Sequence, residues 1–408
     1  MAELTGRNPI FSLMNLLQQI LSVIAFSIRT IPARLGASTS AAIGIAGVVG
    51  VLVGVLSIAE GFRHAMTATG SKDVAIVMRS GADNEMTSNL SKDETRLISD
   101  TPGIARGKEA PLASAELFVI IDLPKLTTGT PANVPLRGVE PPAFDIRGNI
   151  NMVEGRRIEF GKNEIMVGAG AARSFGGLKV GNSLKIGVNT WQVVGIFTSG
   201  GGAAESELWT DAAVLQPAYN RPNAFQSVYV RLASVGSFSE FKDALTRNPQ
   251  LKVKVHTLEE FYADQSTATS AFITGIGTFI AAMMALGALF GALNTMYSAV
   301  SSRTREIATL RALGFGALPV VLSVLAESLT LALAGGVIGS ALAWLLFDGY
   351  QAATMNFQTF SQVSFAFAVT PKLLILAVIW ASILGILGGI FPAIRAARLP
   401  IASALRET

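Results

Sequence analysis

No aspartate, glutamate, lysine or arginine occurs between Asp264 and Arg303. A helix needs only about 20 apolar residues to cross the hydrocarbon core of a bilayer. The stretch AFITGIGTFIAAMMALGALFGALNTMYSAVSS, beginning at Ala271, is longer than that and then changes abruptly to RTREIATLRALGFG. The pattern predicts a transmembrane helix that delivers a short, charged helix to one face of the membrane. Upstream, helical periodicity starts near Leu258 without an intervening breaker. A continuous helix from there to Ser301 would be ~65 Å long, against a bilayer core of ~30 Å, so its first part would stand out of the membrane as a stalk.

The chain as a whole is 50% hydrophobic and 15% charged, with 40 glycines. Soluble domains average about 25% charged residues, and glycine is commoner in membrane helices than in soluble ones. The apolar residues concentrate in four stretches, 37–59, 271–300, 318–347 and 371–393, which we read as four spans. Between the first two the composition is that of ordinary soluble protein. There is no cysteine, which excludes disulfides and thiolate metal sites and leaves the redox compartment open. The net charge of +4 comes without a long basic block, so nothing points to nucleic acid.

Residues 1–36 precede the first span. The stretch 11–35 is apolar with polar interruptions, and Arg29 and Arg34 follow its apolar part instead of preceding it, unlike a cleavable signal peptide. Two readings stay open: an amphipathic helix on the cytoplasmic membrane face, ended by Pro32, or a hydrophobic segment packed beneath the bundle. Each proposed span carries one GxxxG pair: Gly50/Gly54, Gly287/Gly291, Gly335/Gly339 and Gly385/Gly389. Small residues at that spacing let helix backbones approach closely in lipid.

Residues 60–257 read as an α+β domain. Short β-rich runs at Val74–Met78, Ala115–Ile121, Glu164–Val167, Ser183–Val188, Thr190–Phe197 and Ser227–Leu232 alternate with Gly/Pro/Asn turns. Leu90–Asp100 and Ser237–Arg247 read as helices. Pro131, Pro135, Pro141 and Pro142 suggest two lobes, with a boundary near 125–150, or a long excursion. The remaining divisions are a stalk and second span over 258–300, a cytoplasmic helix over 301–317, an external loop over 348–370 and a tail over 394–408.

Arginines fix the orientation. Arg7, Arg29 and Arg34 precede the first span, Arg303, Arg305 and Arg311 separate the second and third, and Arg395, Arg398 and Arg406 follow the fourth. The Asp348–Thr370 loop has neither lysine nor arginine. The positive-inside rule therefore places both termini and the 301–317 loop in the cytoplasm and the large domain outside.

Few constellations carry chemistry. Gly176–Ser183 approaches a phosphate-binding loop, but Asn182 stands where the phosphate-charging lysine is required. His64 and His256, near the two ends of the external domain, lack metal-ligand spacing and read as junction-packing residues. Glu205 and Glu207, after Gly200–Gly202, read as a solvated hairpin or an ion-paired rim. Met283, Met284, Phe272, Phe279 and Phe290 read as helix packing or a substrate groove. Glu327 stands out: it falls about ten residues, or ~13 Å, into the third span, where a carboxylate is costly unless paired or hydrated. Asn294 falls at similar depth on the second span and is the expected hydrogen-bond partner.

The segments SSRTREIATLRALGFG, AESLTLALAGGVIG and GGIFPAIRAARLPIASALRE resemble the permeases of the MacB/FtsX-type ABC transporters, as do LKVGNSLKIGVNTWQVVGIF in the external domain and SIAEGFR after the first span. The resemblance covers nearly the whole chain. It implies four membrane helices per protomer, a large α+β domain between the first and second, and a dimer, homomeric or with a second permease, in the bacterial inner membrane. It also implies a separate cytoplasmic ATPase that supplies ATP and magnesium chemistry, with no cofactor bound by this chain and no enzymatic activity of its own. By position, the ATPase-coupling residues are Arg303, Arg305, Glu306, Leu310 and Arg311. Ile307, Ala308 and Leu310 form the expected apolar docking face, and Arg303/Glu306 an i,i+3 pair. A juxtamembrane helix held by anionic lipid is the competing reading. The implied function is mechanotransmission: ATP-driven motion passed to the external domain to export or extract an amphiphile, with a periplasmic adaptor as a further partner. Lipoprotein release and the control of a cell-wall hydrolase without transport are the alternatives.

Overall fold

The computed structural model describes residues 18–25, 27, 29, 35–68, 70–108, 110–187 and 189–400. It divides into two units: residues up to 57 with 273–348 and 369 onward, and residues 58–272 with 349–368. Most of the expected N-terminal segment and the tail beyond Pro400 lie outside the described residues; 18–25 is helical.

Among the described residues, four helices are long and apolar enough to cross a membrane. The first runs Leu35–Ala68 and the second Leu258–Ser302, unbroken over 45 residues. The third spans Ala317–Phe347 and the fourth Pro371–Ala397. Thr370 starts the fourth by accepting the Leu373 N–H on its side chain, with proline at the first helical position, where no N–H is required. Pro392 lies inside this helix, which continues to Ala397. In a packed membrane helix, neighbouring helices and local adjustment tolerate the hydrogen bond that proline removes.

Close packing falls on three of the four GxxxG pairs. A methyl group at Gly335 or Gly339 would strike the backbone at Ala42 or Ala46, and one at Gly385 or Gly389 would strike Ala332 or Ser328. Ser328 donates to the Gly385 carbonyl at 2.6 Å. A methyl group at Gly54 would strike the Phe347 ring, whereas one at Gly50 would lie 3.8 Å from the Gly339 carbonyl oxygen, an ordinary contact. Gly287 and Gly291 behave differently: nothing lies within 4 Å of a methyl placed on either. They line an open groove of about 370 Å³ with Gly44, Val48, Met284 and Thr295. Phe279, Met283 and Phe290 on the same long helix are also exposed, so within one chain they are not core.

The second unit is built on one mixed sheet. Its strands are β1 (Val74–Arg79), β2 (Leu90–Ser91), β3 (Ala113–Pro124), β4 (Pro131–Val139), β5 (Asn151–Gly155), β6 (Glu164–Gly168), β7 (Ser183–Ile186), β8 (Asn189–Thr198), β9 (Leu208–Asp211), β10 (Ala224–Phe225), β11 (Ser227–Arg231) and β12 (Val253–Thr257). The main order is β12-β1-β11-β3-β4-β9-β6-β8-β5, with β7 on β8, while β2 and β10 pair separately. Pro131 and Pro135 do not mark a connection between lobes; they lie within β4. They are tolerated because β9 joins β4 only from Leu136 onward, leaving an edge at both prolines. Among the described residues, four hydrophobic clusters pack against the sheet, and two of them share one face of β3: Ala113 and Ala115 belong to one, Leu117, Val119, Ile121 and Leu123 to the other.

The residues between the third and fourth spans, expected to form a loop, make a hairpin of β13 (Gln351–Met355) and β14 (Gln362–Ala366). It is fastened within the second unit by Asn84 donating to Gln358 O at 3.1 Å and Ser364 N–H donating to Ser206 Oγ at 2.8 Å. Phe365 packs edge-on against Phe62, their ring centres 5.7 Å apart.

Candidate functional site

The short helix Thr304–Ala312 begins one residue after the long helix ends. At its far end Gly314 takes φ +96°, a left-handed conformation that costs glycine little. The Gly314 N–H then bonds to Arg311 O and the Phe315 N–H to Leu310 O, both at 3.1 Å. This pairing is a Schellman closure, which satisfies the last carbonyls and stops the helix.

One side of the helix is fixed to the membrane unit. Ile307 is buried with Met296, Val300, Val320, Val324, Ala393 and Ala396, and Ala308 is buried as well. The expected apolar docking face is thus largely internal core. Arg303 is 7% exposed, and its guanidinium donates to Glu327 at 2.9 Å and to Glu306 at 3.0 Å. It therefore anchors the helix from within and does not present itself to a partner. Arg311, also assigned to docking, turns inward and donates to the carbonyls of Ala397 and Leu399 at 2.6 and 3.2 Å. The outward residues are Arg305, Glu306, Thr309 and Leu313, with Leu310 half-buried. Leu313 was not singled out from sequence; its place beyond the last turn, beside a helix-stopping glycine, was the available signal.

Glu327 is 4% exposed, so a buried partner is required, and the structure supplies Arg303. Asn294 is not that partner. It is exposed, because the buried stripe of the long helix runs Ala292, Met296, Val300, and a residue two positions along points to the other side. A guanidinium also compensates a desolvated carboxylate far better than a neutral amide.

A second polar centre, not anticipated from sequence, lies in the sheet unit. Arg137 on β4 makes bidentate contacts with Glu85 at 2.8 and 2.9 Å and with Glu207 at 2.7 and 2.8 Å, and reaches Glu116 at 2.9 Å. Arg147 holds Glu116 by two bonds of 2.7 Å and lies over the rings of Trp209 and Tyr229. Trp209 Nε1 donates to Glu207 and Ser227 Oγ to Glu85, each at 2.7 Å. All five charged side chains are buried. Burial pushes the Glu85 carboxyl up, but the Arg137 charge and hydrogen bonds outweigh it and hold Glu85 below its ordinary value. Glu207 is thus neither a solvated hairpin nor a rim residue. Glu205 is buried too, accepting the backbone N–H groups of Ser199 and Gly201 at 2.8 and 2.7 Å, which closes the glycine turn. Each glutamate reads as surface in its local sequence; only the assembled sheet brings them to one arginine.

The histidines do no joint work. His64 is exposed, contrary to the packing role expected of it, and His256 is half-buried in β12, where burial lowers its proton affinity. Among the described residues no cluster suits a metal.

Four apolar helices with a large sheet domain inserted after the first define a polytopic membrane permease. Residues 38–248 match the MacB-like periplasmic core domain, and residues 278–401 the FtsX-like permease C-terminal region. The chain belongs to the MacB/FtsX-type family of ABC transporter permeases. It is 25% identical over 259 residues to a macrolide export ATP-binding/permease protein MacB of Bdellovibrio bacteriovorus, covering 59% of this chain and 38% of that one. To an uncharacterized ABC transporter permease of Methanocaldococcus jannaschii it is 23% identical, covering 62% and 65%. The chain thus spans little more than a third of the MacB relative. Among solved structures, the extracellular domain of the noncanonic ABC-type transporter YknZ, from Gram-positive bacteria, is similar at 14% identity, covering 45% of this chain and 100% of that one with a TM-score of 0.35. The periplasmic region of MacB from Actinobacillus actinomycetemcomitans is similar at 12% identity, covering 47% and 92% with a TM-score of 0.36.

Proposed function

We propose that this chain is the membrane subunit of a bacterial inner-membrane ABC transporter, driven by a cytoplasmic ATPase that binds ATP and magnesium. The observation that carries the reading is the two-sided short helix. Its inner face is fastened by Arg303, Ile307, Ala308 and Arg311, while Arg305, Thr309 and Leu313 remain open and Glu306, exposed on one side, holds Arg303 on the other. A helix held on one side and free on the other can accept a docking partner and pass its displacement inward. Both termini and this helix face the cytoplasm, as the arginine distribution requires. ATP then favours one arrangement of the subunits because its ATPase binds the two arrangements differently. The unbroken helix Leu258–Ser302 transmits the change to the external domain, which moves an amphiphilic substrate.

A second permease protomer, identical or homologous, closes on the open Gly287/Gly291 face. The four-helix plan with a large external domain also suits lipoprotein release, and control of a cell-wall hydrolase is the third branch. Partner chemistry separates the three: a periplasmic adaptor marks export, a second homologous permease marks lipoprotein release, and a peptidoglycan hydrolase marks signalling. The central test is Arg305→Glu, which reverses a charge on the open face. We expect an intact fold, with lost capture of the ATPase and lost substrate-stimulated hydrolysis. Normal stimulation in that variant refutes the docking assignment.

A further inference from the structure

We propose that the end of the fourth membrane helix holds the headgroup of an anionic phospholipid. Phe391, Ile394, Arg395, Arg398, Leu399 and Pro400 line an open groove of about 430 Å³. Arg395 and Arg398 are one turn apart and exposed, and among the described residues neither is in an ion pair with a carboxylate. The Arg395 guanidinium lies over the Tyr297 ring, 5.5 Å from its centre, which fixes one charge beside the second span.

A helix C-terminus ordinarily repels anions, because its last carbonyls carry partial negative charge. Here Arg311 covers that of Ala397, the last residue of the helix, with a hydrogen bond of 2.6 Å, and reaches the Leu399 carbonyl just beyond it at 3.2 Å. The same guanidinium brings a third positive charge to the helix end. Phe391 and Ile394, both exposed, stand about one turn before the arginines, on the bilayer side. An acidic protein segment would have no use for those apolar residues. A molecule with an anionic head and an apolar tail matches both levels, and basic residues at a membrane surface attract such lipids.

The test is native mass spectrometry of the full chain in mild detergent, titrated with phosphatidylglycerol and with phosphatidylcholine. Phosphatidylglycerol should be retained about tenfold better. Arg395→Gln with Arg398→Gln should abolish the preference with the helical circular dichroism unchanged, and the double lysine variant, which keeps the charge, should retain it. If the double glutamine variant fails to fold, Arg398→Gln alone, away from Tyr297, should show a reduced preference. Equal retention of the two lipids by the unmodified chain overturns the proposal, as does a preference that survives loss of both arginines. A preference that emerges only after truncation following Pro400 assigns the groove to the chain's own tail and overturns it too. None of these outcomes depends on the ATPase partner.

Discussion

The Arg303 guanidinium donates to the Glu327 carboxylate at 2.9 Å, and both side chains are buried. The pair joins the break between the second span and the short helix to a position ten residues inside the third helix. Removing one member of a buried ion pair leaves the other desolvated and uncompensated, at a cost of about 3–5 kcal/mol. Glu327→Ala should therefore lower the melting temperature of the purified chain and weaken its coupling to the ATPase. The exchange Arg303→Glu with Glu327→Arg should recover part of both losses. A melting curve unchanged by Glu327→Ala would remove the anchor from the mechanism.

In the external domain, Arg137→Leu leaves Glu85, Glu116 and Glu207 close together without their shared cation. The pH response should then invert. In the natural chain, Glu85 is held below its ordinary value of 4.5, so its contribution is complete above the unfolded value and is lost as pH falls through the folded one. In the variant, Glu85 keeps its burial and loses the Arg137 charge that offset it, so protonation relieves the fold and stability should rise between pH 7 and pH 5. Thermal melting at the two pH values distinguishes the cases.

The two faces of the short helix should separate by mutation. Ile307→Ala empties a core position and should cost about 2–4 kcal/mol in stability. Leu313 is 72% exposed, so Leu313→Ala should leave melting unchanged and weaken ATPase capture. A pull-down with the co-expressed ATPase, read beside the melting temperatures, checks both.

The glycine pairs predict a similar division. Gly339→Val should misfold the bundle, because its side chain would strike the Ala46 backbone. Gly291→Val has space within its own chain and should fold, yet lose protomer association. Since the chain has no cysteine, Gly291→Cys gives a single reactive thiol. Oxidation in membranes should yield a covalent dimer on a non-reducing gel, and a purely monomeric product counts against that face.

The sequence alone determined the spans, the basic segment after Ser302 and the alternation of short strands, because each is a local pattern: a charge-free run, an arginine step, a two-residue period broken by glycine and proline. The same locality exposed Glu327 as a costly intramembrane carboxylate. Only the tertiary structure decided what Glu327 meets, since depth along a helix says nothing about facing, and Asn294 at similar depth lies off the packed stripe. It also turned Arg303 and Arg311 inward, put Ile307 and Ala308 into the core, and drew Glu85, Glu116 and Glu207 around Arg137 from segments distant in sequence. A charged side chain looks alike in sequence whether it faces water or a buried countercharge, because the difference is desolvation, and desolvation is set by neighbours that the chain supplies only when it folds.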